Sequence, residues 1–129
     1  MQLHSRRLKD ATFITTKALH TTLANSSSFD LEQVTGGLIE GIQVEIISPA
    51  DVATTGKICT YTLEDSADNS TFAAVDPKVS TTITAASSAL AAKTVEFPLP
   101  PNTRRYIRIA QTGDTLGSVA GTYTVSLLF

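Results

Sequence analysis

The sequence predicts an all-β protein, a single antiparallel β-sandwich domain preceded by an extended N-terminal arm. Three observations carry this. Apolar and polar residues alternate with period two in run after run, the pattern of strands with one face buried. Clusters of Gly, Pro, Asn and Asp separate those runs, as turns between antiparallel strands require. No stretch shows convincing helical spacing of apolar residues. At 129 residues the chain has the size of one domain. Folding would leave roughly 6,600 Å² exposed of about 20,000 Å², enough for a core without disulfides or a structural metal.

Taken in chain order, residues 1–10 read as an arm and residues 11–129 as the sandwich. In Gly41 to Ser48, Ile42, Val44 and Ile46 share one face, with Gln43, Glu45 and Ile47 on the other. In Lys57 to Glu64, Cys59, Tyr61 and Leu63 oppose Ile58, Thr60 and Thr62. Val79 to Thr84 is a Thr-rich strand, and the Ala-rich piece Thr84 to Ala92 is read as a loop, because its Ser and Thr weaken it as a helix. Arg104 to Gln111 sets Ile107 and Ile109 against Tyr106 and Arg108. In the last run Tyr123, Val125, Leu127 and Phe129 oppose Thr124, Ser126 and Leu128. Its apolar end must be docked, inside the sheet or under a neighbour. Turns are expected at Gly36-Gly37, Ser48 to Asp51, Asp65 to Asn69, Asp76-Pro77 and Pro100 to Asn102.

Composition narrows the function. Charged residues are 17% of the chain, while 20 Thr and 12 Ser make it roughly one quarter hydroxylic. A surface of that kind suits contact with other protein, although a Thr-rich solvent face gives the same composition. The single cysteine, Cys59, excludes an internal disulfide. No apolar run approaches the roughly 18 residues of a membrane helix. The N-terminal residues lack the apolar stretch of a signal peptide, so no secretion and no membrane are expected. Charge is uneven: residues 1–17 sum to +3, residues 30–96 to −7 and residues 104–129 to +2. Oppositely charged regions of this kind can steer association or pair within the domain.

Little points to catalysis. The two histidines, His4 and His20, lie near the N-terminus, and no metal-ligand spacing, phosphate loop or nucleophile elbow occurs. No catalytic residue, cofactor or metal is expected. Asp65-Ser66-Ala67-Asp68-Asn69 lacks the ligand spacing of an EF-hand and reads as turn chemistry. The basic clusters Arg6-Arg7 and Arg104 to Arg108 invite a nucleic-acid reading, but the isoelectric point near 5.6 argues against it. A glycan-binding surface would ordinarily present Trp or Tyr platforms, and the chain has no Trp.

The most distinctive segment runs Val95-Glu96-Phe97-Pro98-Leu99-Pro100-Pro101-Asn102-Thr103-Arg104-Arg105-Tyr106-Ile107-Arg108-Ile109. Pro98, Pro100 and Pro101 end a strand and stiffen the crossover, Asn102 suits a left-handed turn position, and Tyr106 starts the next strand. This segment resembles the "LPLPPGTxRYLRL" signature of the small capsid cement, or decoration, proteins of tailed bacteriophages, the group related to the Bordetella podophage cement protein. Asn102 stands where that signature has Gly. Asp68-Asn69-Ser70-Thr71-Phe72 is similar to the family's "DNxxF" hairpin. Asp30-Leu31 with Gly41 to Ser48 resembles its first long strand, and Gly121 to Leu128 its closing strand. The likeness spans about residues 25–129, with its specificity in 94–109, and leaves the arm unmatched.

The resemblance implies a jelly-roll-like β-sandwich and a homotrimer. It further implies a non-enzymatic role on the outer surface of the virion, bound to the major capsid protein of the expanded shell after synthesis in the host cytoplasm. Leu3, Arg6, Arg7, Leu8 and Lys9 of the arm are then expected to contact the capsid or a neighbouring subunit. Arg104, Arg105 and Arg108 serve either such an interface or pairing within the sheet, and the sequence leaves both open. The alternative from another class is a tail or baseplate sandwich that binds a host-surface glycan. A secreted lectin and an enzyme are further from the residues.

Overall fold

Strands form where the alternation is strongest. The computed structural model describes residues 9–18, 24–31, 42–114 and 122–128, with the side chains of residues 9–18 and 24 left aside. Its strands are β1 (Lys9–Ala18), β2 (Ala24–Asn25), β3 (Phe29–Asp30), β4 (Gln43–Ser48), β5 (Asp51–Val52) and β6 (Ile58–Ser66). They continue with β7 (Ala73–Ala74), β8 (Ser80–Thr84), β9 (Ala89–Leu90), β10 (Lys93–Pro98), β11 (Tyr106–Gly113) and β12 (Thr122–Leu128). Among the described residues there is no helix, and every strand pair is antiparallel.

Two sheets face each other. The first has the order β1-β12-β4-β10. The second is built on the β6–β11 pair, with β2 and β3 along the free edge of β11 and β7 and β8 along that of β6. A short β5–β9 ribbon continues the β4–β10 ladder past its Ser48–Lys93 pair. The inward faces are those the alternation predicts. Val44, Ile46, Phe97, Tyr123, Val125 and Leu127 come from the first sheet, and Cys59, Tyr61, Leu63, Ile107 and Ile109 from the second. Each large apolar side chain sealed between the sheets contributes roughly 1.5–3 kcal/mol by its removal from water. Tyr61 and Tyr123 meet across the sandwich with ring centroids 5.1 Å apart, tilted by 59°.

The C-terminal strand docks inside the first sheet, between β1 and β4, which satisfies both of its edges. Three expectations need adjustment. The ladder takes in Lys9, opposite Leu128, so pairing begins within the span read as arm. Asp65 and Ser66 belong to β6 rather than to the turn, because they are still in register with Ile107 and Tyr106 of β11. The Ala-rich piece is not a plain loop: Ala86 and Ala89 close a hairpin turn, and β9 follows at once. The arm residues Leu3, Arg6, Arg7 and Leu8, both histidines and Gly36-Gly37 lie outside the described residues.

Candidate functional site

The distinctive proline–arginine segment builds a corner at one end of the second sheet. Pro98 closes β10, and the next residue, Leu99, donates its N–H to the Ile42 carbonyl at 3.3 Å. Thr103 then closes a turn, donating both its N–H (3.0 Å) and its hydroxyl (2.6 Å) to the Pro100 carbonyl. This corrects the expectation for Asn102, which is not among the residues with positive φ. With Pro101 in the second position of an i to i+3 turn, the third position takes the negative φ of a type I turn. The left-handed asparagine is Asn69, with φ of 59°.

Beyond the turn each arginine meets a carboxylate. Arg104 donates its backbone N–H to Asp65 Oδ2 (3.0 Å), and Nε and Nη2 to Oδ1 (3.0 and 2.7 Å). Nη2 also reaches the Asp65 carbonyl at 2.9 Å. The Asp65 side chain is only 8% exposed, against 42% for Arg104, so the pair is a buried carboxylate clamped from the surface. The Asp65 hydrogen bonds hold the Arg104 guanidinium above its ordinary pKa. Arg105 grips Asp30 through two parallel bonds of 2.7 and 2.8 Å and stacks 5.1 Å from the Tyr106 ring centroid. Arg108 bonds Glu64 at 2.8 Å and lies 4.1 Å from the centre of the Phe72 ring. Planar guanidinium groups suit both partners.

The neighbouring hairpin is tied into the same corner. Asp68 Oδ1 accepts from the Ser66 hydroxyl at 2.8 Å and from the Ser70 and Thr71 backbone N–H groups at 2.9 Å each. The Thr71 and Ser70 amides, with the Ser66 hydroxyl, lower the Asp68 pKa to about 2. Asn69 Oδ1 accepts from the Ser28 hydroxyl at 2.7 Å, tying in the segment before β3. The two segments singled out in the sequence, 94–109 and 68–72, thus meet through Arg108 and Phe72.

This places the sequence candidates plainly. Pro98, Pro100, Pro101, Asn102 and Tyr106 shape the corner, and Arg104, Arg105 and Arg108 are engaged within the sheet. The basic cluster is therefore neutralised locally instead of forming an open cationic track. Sequence reasoning missed Asp30, Glu64 and Asp65 as partners, since each lies far along the chain from its arginine. Alternating acids on one strand and bases on another hint at such pairing, but only the register selects the pairs.

Two further polar pairs lie in the interior. Tyr61 OH and Ser48 Oγ lie 3.0 Å apart, and Gln111 Nε2 donates to Cys59 Sγ at 3.3 Å. Burial pushes the Cys59 thiol and the Tyr61 and Tyr123 phenols up in pKa, so all three stay protonated at neutral pH. A hollow of about 420 Å³ lined by Val52, Ala53, Thr54, Thr55 and Ser88 offers hydroxyl and alkyl groups without a charge. Among the described residues, no three His, Cys, Asp or Glu side chains gather into a metal-binding group. No family model matches the chain, and no curated protein is significantly similar to it.

Proposed function

We propose that this chain is a structural virion protein, a capsid cement protein of a tailed bacteriophage that binds the outside of the expanded shell and stabilises it. The observation that carries the reading is the corner. The two segments that resemble the cement family meet in space through Arg108 on Phe72, while Arg108 and Arg104 are anchored beside them to Glu64 and Asp65 of β6. A motif shared for its geometry is expected to have partners of this kind. The strand order supports a jelly-roll wrap. With β2/β3 and β7/β8 each counted as one position and the β5–β9 ribbon set aside, the sheets run 1-8-3-6 and 2-7-4-5, as two Greek keys produce.

The mechanism is linkage. A ligand that binds the assembled, expanded shell and not its dissociated parts stabilises it by mass action. Repetition over the shell lets a modest affinity at each site suffice. In this reading the paired arginines hold a rigid contact surface, which lowers the ordering cost of binding. The arm, with Leu3, Arg6, Arg7, Leu8 and Lys9, supplies apolar and cationic contacts to the major capsid protein, and the protein acts as a homotrimer.

Co-sedimentation with unexpanded and expanded shells tests this. Saturable pelleting with expanded shells alone is expected, in numbers that give the trimer stoichiometry. Removing residues 1–8 should weaken pelleting and leave the melting temperature unchanged. Pelleting with neither form of shell would discard the cement reading.

A further inference from the structure

We propose that Arg108 is a preset hook for a protein carboxylate, offered by an arginine–aromatic patch on the outer face of the second sheet. The patch is defined by where the aromatic side chains lie. Among the described side chains, Phe29, Tyr61, Phe97 and Tyr123 are buried, and Phe72 and Tyr106 alone reach the surface. Each of these two carries an arginine: Arg108 stands 4.1 Å from the Phe72 ring centre, and Arg105 stands 5.1 Å from that of Tyr106. Tyr106 and Arg108 are two residues apart on β11, so they share its outer face. Arg, Tyr and Phe gathered at a surface are the composition of interface hot spots.

Within the patch Arg108 is held but not used up. Its Nε donates to Glu64 Oε1 at 2.8 Å while the guanidinium lies over Phe72, and these two contacts fix its plane. Nη1 and Nη2 have no hydrogen-bond partner among the described residues, and neither is sealed from solvent. Arg104, by contrast, spends both Nε and Nη2 on Asp65. The end of the Arg108 fork therefore presents parallel N–H donors, which a carboxylate accepts in bidentate form. Because the fork is already oriented, little ordering is lost on binding.

The surrounding charges select a single carboxylate over a polyanion. Arg104, Arg105 and Arg108 are balanced by Asp65, Asp30 and Glu64, and Asp68 stands in the adjoining hairpin. A carboxylate on the fork would lie about 4 Å from the guanidinium and roughly 7 Å from the Glu64 carboxylate, so attraction exceeds repulsion nearly twofold. A run of phosphates would instead meet Asp30, Asp65 and Asp68. The partner is an acidic side chain of the shell protein, an assignment that rests on the cement reading.

Co-sedimentation of the full chain with expanded shells tests this. Arg108→Lys keeps a cation beside Glu64 and so folds, but it lacks the fork. Its pelleting should be about tenfold weaker at unchanged Tm. Arg108→Met keeps the cover on Phe72, and its pelleting should depend less steeply than the parent's on NaCl between about 0.05 and 0.5 M. Equal pelleting of Arg108→Lys and the parent, or an unchanged salt dependence in Arg108→Met, would overturn the hook and leave the cement reading standing. No pelleting of the parent would remove both.

Discussion

Gly113 shows how tightly single residues are constrained where β11 leaves the sheet. Its φ is +125°, and a Cβ there would run into the Ile58 carbonyl oxygen. That oxygen accepts the Asp114 N–H at 3.0 Å, while Asp114 Oδ2 accepts the Ile58 N–H at 3.0 Å. Gly113→Ala is expected to cost about 2–3 kcal/mol, read as a lower urea midpoint at unchanged m-value. Asp68 gives the pH counterpart. Its folded pKa of about 2 lies below the ordinary 3.8. Its contribution to stability is therefore present above pH 3.8 and lost as pH falls through about 2. The Ser70 and Thr71 amide resonances should titrate with a midpoint near 2, and a midpoint near 3.8 would show that the turn bonds do not form.

At the scale of the element, the hairpin at Ser87-Ser88 conflicts with local preference. Both serines have positive φ, 52° and 59°, between Ala86 and Ala89, which exchange bonds of 2.8 and 3.0 Å. Two such residues make a type I′ turn, which Asn-Gly satisfies with less strain. Ser88 bonds Thr55 Oγ1 and Ala53 through its backbone, so those contacts survive substitution. The double change Ser87→Asn with Ser88→Gly should stabilise by about 1 kcal/mol in urea unfolding. The β10–β11 corner is the opposite case, with every local choice in agreement. Arg104→Met would leave the buried Asp65 carboxylate without its clamp. The expected loss is about 2 kcal/mol, below the value for a fully buried pair because the guanidinium is 42% exposed.

For the molecule as a whole, Cys59 is a built-in reporter. It lies in β6, flanked by β8 and β11, is 1% exposed, and has its thiol pKa raised by burial. A thiol reagent should react only through global unfolding. Labelling should then accelerate with urea in proportion to lost stability, and faster still in Gly113→Ala. Rapid labelling without urea dependence would instead show that the sheet opens locally around Cys59.

The sequence by itself determined the long strands β4, β6, β11 and β12 with their inward faces, and β8 as a strand, but not β1 or the short strands. Alternation alone assigns Ile46, Leu63, Ile109 and Val125 to the core, because successive side chains in a strand point to opposite sides whatever the partner. The sequence likewise located a turn at Pro100 to Asn102, since proline restricts its own backbone, and the structure adds Thr103 as the residue that closes it. Only the tertiary structure decided which strands are neighbours. That choice pairs Arg104 with Asp65, sets Arg108 on Phe72 and Glu64, and brings Glu45 opposite Glu96. Register is selected by the burial of both sheets at once, a condition spread over the whole chain. Local pattern cannot report it, so the faces were legible in the sequence and the pairs across them were not.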